Sequence, residues 1–199
     1  CVLYKTIFLS ASILFSQWCM AEISIGEHLP PVNIESQGEL VLNGSTIDYQ
    51  PWHSSVFSTA QPPRVHVVQY LAARMAASKI NEPFTDRLGE IKFPIDKHLV
   101  TTIINTSDAM WGTSGFVLAE LESNKEKHPH ASMVADQHGV GAKTWSLSLK
   151  NSAIIVLSPC GKVLFFHQGA LSAEQLSDVI ALIEQQIQQL DSTLASSDG

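Results

Sequence analysis

The sequence predicts an α/β domain with a central mixed β-sheet and helices on both faces. In the middle of the chain, strand patterns such as "VHVVQYL" and "LVTTIIN" alternate with helix patterns. Such alternation is typical of parallel strands joined by crossover helices. Near the C-terminus, "SAIIVLSPCGKVLFFHQG" contains two strand patterns joined by a Pro-Cys-Gly turn. This terminal hairpin adds antiparallel strands, so the predicted sheet is mixed.

The first elements follow from turn residues and hydrophobic patterns. "GELVLNGSTIDYQPW" alternates apolar residues around Asn43-Gly44, which is a strong hairpin signal and predicts an N-terminal β-hairpin extension. A buried strand is predicted over Val65–Leu71, followed by a helix from about Met75 to Leu88. The β-branched run Leu99–Asn105 predicts a second buried strand.

Two further helices are indicated by their end signals. A helix is predicted from about Ser114 to Lys127, where the dipeptide His128-Pro129 ends it. Ser172 and Gln175 have the spacing of a capping box at the start of a long helix. That helix has one apolar face, made of Leu176, Val179, Ile180, Ile183, Ile187 and Leu190.

The N-terminal region has the pattern of a secretory signal peptide. Lys5 precedes the apolar run "TIFLSASILF", and "CMA" ends in the small residue Ala21 just before polar Glu22. We therefore expect residues 1–21 to be removed on export, residues 22–190 to form one domain, and residues 191–199, "DSTLASSDG", to be a disordered tail.

The net charge of the chain limits the classes of partner that it is expected to bind. The formal net charge is −7, and removal of Lys5 with residues 1–21 makes it −7 − 1 = −8. The sequence contains no run of basic residues. An acidic chain without a basic patch is not expected to bind nucleic acid, or a membrane once the signal peptide has been cleaved.

The number of cysteines limits the redox chemistry that the protein can perform. Cys1 and Cys19 lie in the predicted signal peptide, so the exported chain would retain only Cys160. A single cysteine cannot form an intramolecular disulfide, and the fold must then rest on core packing. Cys160 lies in the turn "SPCGK", where only Lys162 could lower the pKa of a thiol. An inert turn residue is the favoured interpretation over a reactive thiol.

The order of these motifs resembles a known fold and family. "IGEHLP", "VVQYLA", "ADQHG", "LSPCGKVLFF" and "GALSAEQL" resemble the thioredoxin-like fold, in its secreted TlpA and peroxiredoxin-like branch. "LNGSTIDYQPW", "RVHVVQYLAAR", "TTIINTSDA" and "LESNK" resemble the YtfJ family of bacterial periplasmic proteins, over nearly the full exported chain. The resemblance implies a thioredoxin-like fold and a periplasmic location, and it implies little about mechanism.

The resemblance also locates a redox site that this chain lacks. When Tyr70–Ala72 is set on the "FWA" triplet of redox-active members, Met75 and Ser78 occupy the two cysteine positions. Ser152 takes the place of the cis-proline that faces the cysteines in those members. A thioether and a hydroxyl cannot exchange disulfides, so we expect no thiol–disulfide chemistry, no catalytic residue and no cofactor at this helix.

The main functional expectation is a binding or adaptor module. The former active-site face would consist of Arg74, Met75, Ser78 and Ser152 with the loop that carries Trp111, and it would contact an unknown periplasmic protein or peptide. An extended peptide could pair with the backbone beside Ser152. Arg74 at the helix start could attract carboxylates of the partner, but a solvated surface arginine is the favoured interpretation.

Two other classes of function stay open. The first is an enzyme, either a thiol reductase or peroxidase that uses Cys160, or an unrecognised hydrolase. The second is a metal-binding protein that uses His128, His130, Asp136 and His138. These four residues do not have a recognised ligand spacing, so no metal is predicted. The remaining histidines are scattered, and His66, inside a strand, is expected to have its hydrogen bonds satisfied.

Overall fold

The computed structural model describes residues 22–110 and 112–197. The predicted signal peptide, residues 1–21, and Trp111 lie outside the described residues. The described strands are β1 (Asn33–Asn43), β2 (Thr46–His53), β3 (Val65–Ala72), β4 (His98–Asn105), β5 (Ser132–Asp136), β6 (Ser152–Leu157) and β7 (Val163–Gln168). The described helices are α1 (Val56–Thr59), α2 (Met75–Ile91), α3 (Ser114–Lys127), α4 (Val140–Thr144) and α5 (Ala173–Ser197).

The strands form one sheet with the order β2-β1-β5-β4-β3-β6-β7. Strands β3, β4 and β5 are parallel, whereas the pairs β1–β2, β1–β5, β3–β6 and β6–β7 are antiparallel. This confirms the predicted mixed sheet and the N-terminal hairpin, which extends the sheet beyond β5. Asn43 pairs with Thr46, so Gly44 and Ser45 form the turn of this hairpin. Each parallel pair is joined by a helix, because adjacent parallel strands require a crossover connection.

An irregularity in β1 depends on a glycine. The register of β1 against β2 shifts between Ile34 and Glu39. Gln37 and Gly38 both have positive φ angles, 64° and 76°. A Cβ atom on Gly38 would lie 2.1 Å from the carbonyl oxygen of Gln50, so no larger residue fits at this position.

Helices cover both faces of the sheet, as predicted. On one face, α2 and α5 pack over the strands through Val65, Val67, Phe84, Leu88, Val179, Ile180 and Ile183. On that same face α3 packs through Leu121 against Ala135 of β5. The N-terminal segment and the short helices α1 and α4 cover the opposite face, through Val32, Trp52, Phe57, Val68, Tyr70, Ala142 and Trp145. The central strand β3 is buried along its whole length because both faces and both edges are covered.

The C-terminal helix starts where the sequence predicted and ends several residues beyond the predicted end of the domain. Ser172 and Gln175 form the expected capping box: the Ser172 N–H donates to Gln175 Oε1 at 2.9 Å, and the Gln175 N–H donates to Ser172 Oγ at 3.1 Å. Helix α5 continues past Leu190 to Ser197, through residues whose composition indicates disorder. In the described part of the chain, no helix is long and apolar enough to cross a membrane.

The expectation that His66 has satisfied hydrogen bonds is wrong. Its side chain is completely buried, and neither ring nitrogen has a hydrogen-bond partner among the described residues. The imidazole packs against Phe57, with ring centroids 5.2 Å apart. Burial, with a smaller contribution from the positive charge of Arg64, lowers the pKa of His66 to about 4. The imidazole is therefore neutral at physiological pH.

Candidate functional site

The start of α2 lies at the edge of the sheet where β3 and β4 end. Arg74, the residue before the helix, has an extended backbone, and its carbonyl oxygen accepts the N–H of Ala77 at 3.0 Å. In the first turn, Met75 is 81% exposed and Ser78 is also exposed. The two residues at which the resemblance would place a cysteine pair are therefore on the surface.

Arg74 is ion-paired rather than solvated, which corrects the expectation from sequence. Its Nε and Nη2 atoms each lie 3.2 Å from Oδ1 of Asp108, a carboxylate whose side chain is only 9% exposed. Oδ2 of Asp108 accepts the backbone N–H of Lys150 at 2.5 Å. One carboxylate thus joins three segments: the start of α2, the loop after β4 and the loop before β6.

Ser152 is part of this edge but does not contribute to its surface. It pairs with Leu71 in the sheet and is 2% exposed, and its hydroxyl has no hydrogen-bond partner among the described residues. The surrounding backbone is already engaged within the chain. The Asn151 carbonyl oxygen accepts from Ala72, the Ser152 N–H donates to Asn151 Oδ1, and the Ser152 carbonyl oxygen accepts from Gly169. A peptide that paired with the backbone here would have to displace these bonds.

Three further exposed apolar side chains were not named individually from the sequence, although Met110 and Phe116 belong to the predicted loop that carries Trp111. Met110 is 62% exposed, Phe116 79% and Leu149 72%. Leu149 precedes Lys150, and the carbonyl oxygen of Met110 accepts the Thr113 N–H at 2.9 Å just before α3. With Met75, these side chains lie on the start of α2, the loop after β4, the start of α3 and the loop before β6. We call Met75, Met110, Phe116 and Leu149 the apolar patch. Large apolar residues within polar loops were the available sequence signal.

Asp136 is unavailable as a metal ligand. It is completely buried at the end of β5, and its carboxylate accepts the N–H groups of Val140 and Gly141 at 2.9 and 2.8 Å and the Tyr70 hydroxyl at 2.8 Å. Burial, followed by the negative charge of Asp136, raises the pKa of Tyr70. The Tyr70 oxygen in turn accepts the N–H of Ala142 at 2.9 Å. The role of Asp136 is to cap α4.

The histidines are arranged differently from the sequence-based hypothesis. His128 and His130 are exposed on the α3–β5 connection, and His98 at the start of β4 lines the same groove. His138 is exposed on a different loop, after β5. Across residues 22–110 and 112–197, no group of three or more histidine, cysteine or acidic residues is placed to hold a metal ion.

Cys160 lies far along β6 from the start of α2. It follows the C-terminal end of β6, whereas Ser152 begins that strand. The thiol is exposed, and its Sγ atom is 3.1 Å from Oγ of Ser158, within the turn that joins β6 to β7. The thiol of Cys160 is therefore not part of the candidate binding face.

Comparison with known proteins identifies the family. A family model described as "Bacterial protein of unknown function (YtfJ_HI0045)" matches residues 23–186. The chain belongs to the YtfJ family. It is 32% identical to "Uncharacterized protein YtfJ" of Escherichia coli over 182 residues, covering 92% of this chain and 97% of that protein. It is 36% identical to an uncharacterised protein of Haemophilus influenzae over 176 residues, covering 88% and 94% of the two chains.

Solved structures confirm the thioredoxin-like fold of this YtfJ-family chain. A C-terminal domain from Bacteroides thetaiotaomicron, described as a candidate thiol-disulfide oxidoreductase, superimposes with a TM-score of 0.55. The match covers 85% of this chain and 99% of that domain, at 18% sequence identity. At this identity the similarity concerns the fold.

Proposed function

We propose that this protein is a redox-inactive periplasmic binding module, and that its apolar patch contacts an apolar segment of a partner protein. The observation that supports this most is the exposure of four large apolar side chains on, or close in sequence to, the segments joined by Asp108. Exposed apolar surface of this kind is typical of interaction sites. Two of the four are methionines, whose flexible side chains adapt to different partners.

The ion pair between Arg74 and Asp108 supports binding through side chains. Arg74 and Asp108 neutralise each other, and the neighbouring backbone groups have partners within the chain. The face therefore offers a partner few free charges or backbone donors. This favours contact with apolar side chains over the addition of an extended strand beside Ser152.

The binding proposal can be tested by affinity capture with matched variants. The tagged protein, its Met75→Asp/Leu149→Asp variant and an Ile25→Asp control would be purified from periplasmic extracts, and the captured proteins would be identified by mass spectrometry. Ile25 is 62% exposed but lies near the N-terminus, outside the patch. We expect specific partners with the parent and the control, and their loss with the double variant. Identical captured proteins in all three samples would refute the role of the patch.

The periplasmic location has its own test. Cleavage of the predicted signal peptide should give an intact mass that begins at Glu22, or within a residue or two of it, in the periplasmic fraction. Retention of the apolar run of residues 1–21 in a membrane fraction would contradict export by cleavage and would leave the binding test unaffected.

A further inference from the structure

A second surface feature lies at the opposite edge of the sheet from Arg74 and Asp108. It is a groove of about 410 Å³ between the α2–β4 and α3–β5 connections, beside the starting ends of β4 and β5. This volume lies within the range of about 300–1,000 Å³ that is usual for small-molecule sites. The lining residues are Phe93, Ile95, His98, Leu99, Val100, Lys127, His128, Pro129, His130 and Ala131.

One wall of the groove is apolar and is fixed by the core. Phe93 and Val100 are half-buried against the cluster formed by α2, α5 and the sheet, so their positions are determined by core packing. Ile95, at the rim, is 63% exposed. An apolar chain laid along this wall would remove the exposed surface of these side chains from water, which favours binding.

The other wall carries basic side chains. Lys127, His128 and His130 lie on the α3–β5 connection, and no aspartate or glutamate is among the described lining residues. The described residues offer the Lys127 and His130 side chains no hydrogen bond or ion pair. In a chain with 19 acidic and 12 basic residues, this groove has the opposite charge to the protein as a whole, and it complements an anion.

His98 is held in a fixed orientation between these walls. Its Nδ1 atom lies 2.8 Å from the carbonyl oxygen of Pro94, which can only accept, so Nδ1 carries a proton. The ring stacks edge-on against Phe93, with centroids 5.6 Å apart and an interplanar angle of 70°. The Nε2 atom takes no part in that bond.

From this arrangement we propose that the groove binds an anionic amphiphile, a free medium-chain fatty carboxylate. The alkyl chain lies along Phe93, Ile95 and Leu99. The carboxylate lies at Lys127 and His130, where a charge-assisted hydrogen bond holds it. This site is independent of the apolar patch, which lies at the other edge of the sheet.

The test is a titration of the purified protein with decanoate, followed by the chemical shifts of its backbone amides. We expect shifts concentrated in residues 93–100 and 127–131. Decanol has the same chain without the charge, and it should bind about fivefold more weakly if the basic wall recognises the carboxylate. Equal affinity for decanol and decanoate would overturn the assignment of a carboxylate.

Variants test the location of the site. Lys127→Glu should weaken decanoate binding about fivefold through charge repulsion, and Ile95→Asp should weaken it by at least as much by removing apolar contact. Lys162→Glu, an exposed lysine at the β6–β7 turn, is the matched control and should leave the affinity unchanged. The proposal fails if decanoate causes no shifts, if the shifts map elsewhere, or if Lys127→Glu and Lys162→Glu behave alike.

Discussion

The guanidinium group of Arg74 and the carboxylate of Asp108 form an ion pair 3.2 Å long at the start of α2. Asp108 also accepts the Lys150 N–H. The start of α2 is therefore tied to the loop after β4 and to the loop before β6. The resemblance to redox-active proteins places a cysteine pair at this turn. In this chain the same turn is held by electrostatic and hydrogen-bond contacts, and it presents Met75 to solvent. The ion pair and the hydrogen bond thus hold the loops at this edge of the sheet in place.

Loss of Asp108 should destabilise the protein more than loss of an exposed ion pair. Asp108→Ala leaves the Lys150 N–H and the Arg74 guanidinium without their acceptor, at a cost of about 2–3 kcal/mol in the free energy of unfolding. The control Arg87→Ala removes a surface pair with Glu90 and should cost less than about 0.5 kcal/mol. Urea unfolding measures both. Equal losses would contradict the bridging role of Asp108.

Arg74 itself is unsuitable for a charge-reversal test of binding. Arg74→Glu would place a second carboxylate beside Asp108, and the resulting repulsion would disturb the loops as well as any partner contact. Substitutions at exposed Met75 and Leu149 avoid this difficulty, because neither residue supports the core.

Stability should fall as the pH decreases from about 6.5 to 4 because of His66. Its pKa is about 4 in the folded protein and 6.5 in the unfolded chain, so in this window only the unfolded chain gains the proton. The stability is fully present above pH 6.5 and is lost as the pH approaches 4, by about 3 kcal/mol for a shift of this size. His66→Leu should remove this loss.

The His66 experiment compares urea unfolding at pH 7.5 and 4.5. At pH 7.5, His66→Leu should also be more stable than the parent by about 1–3 kcal/mol, because it removes two buried nitrogens without partners. His130→Leu, at an exposed position, serves as the control and should keep the pH dependence of the parent. A pH dependence that survives in His66→Leu would show that other groups cause it.

The sequence predicted the fold because most elements carry local signals. Helix α3 occupies the predicted range Ser114–Lys127, since a histidine-proline dipeptide marks its end. The strands β3 and β4 were evident from β-branched apolar runs. The end of α5 was not predicted, because polar and small residues in the last turns give neither a stop signal nor an apolar face beyond Leu190.

Contacts between distant residues could not be predicted in the same way. Arg74 and Asp108 are 34 positions apart, and Tyr70 and Asp136 are 66 apart. A single sequence contains no information that pairs them. Helix α4 was also missed, because its glycine has low helix propensity and its start depends on the carboxylate of Asp136. The lack of hydrogen-bond partners for the His66 ring among the described residues likewise follows from neighbours that only the tertiary structure brings together.

Two helical glycines should respond in opposite directions to alanine. A Cβ atom on Gly141 would lie 2.6 Å from Cε2 of Tyr70, so Gly141→Ala should cost about 1–3 kcal/mol through overpacking. A Cβ atom on Gly89 in α2 would meet nothing within 4 Å, and Gly89→Ala should stabilise by about 0.5–1 kcal/mol. Thermal and urea unfolding distinguish these outcomes. A stable Gly141→Ala variant would show that the Tyr70 ring can move.

The protein should not catalyse thiol–disulfide exchange. The exported chain would have only Cys160, in a turn at the far end of β6 from the helix that carries the redox pair in related folds. The purified protein should therefore fail to accelerate insulin reduction by dithiothreitol, and Cys160→Ser should have the same melting temperature as the parent. Reductase activity that disappears in Cys160→Ser would instead favour the enzyme alternative.

Asn81→Leu should stabilise the protein. Asn81 lies on the buried side of α2, between Ala77 and Phe84, and is 2% exposed. Neither polar atom of its amide has a hydrogen-bond partner among the described residues, so each is held away from water without compensation. The branched leucine side chain has a similar shape and carries no polar atom, which should raise the free energy of unfolding by about 1–3 kcal/mol. Asn124→Leu on α3 has the same change in helix propensity at a half-buried site, and subtracting its effect isolates the burial contribution. A net loss of stability in Asn81→Leu would show that the amide has a partner outside the described residues.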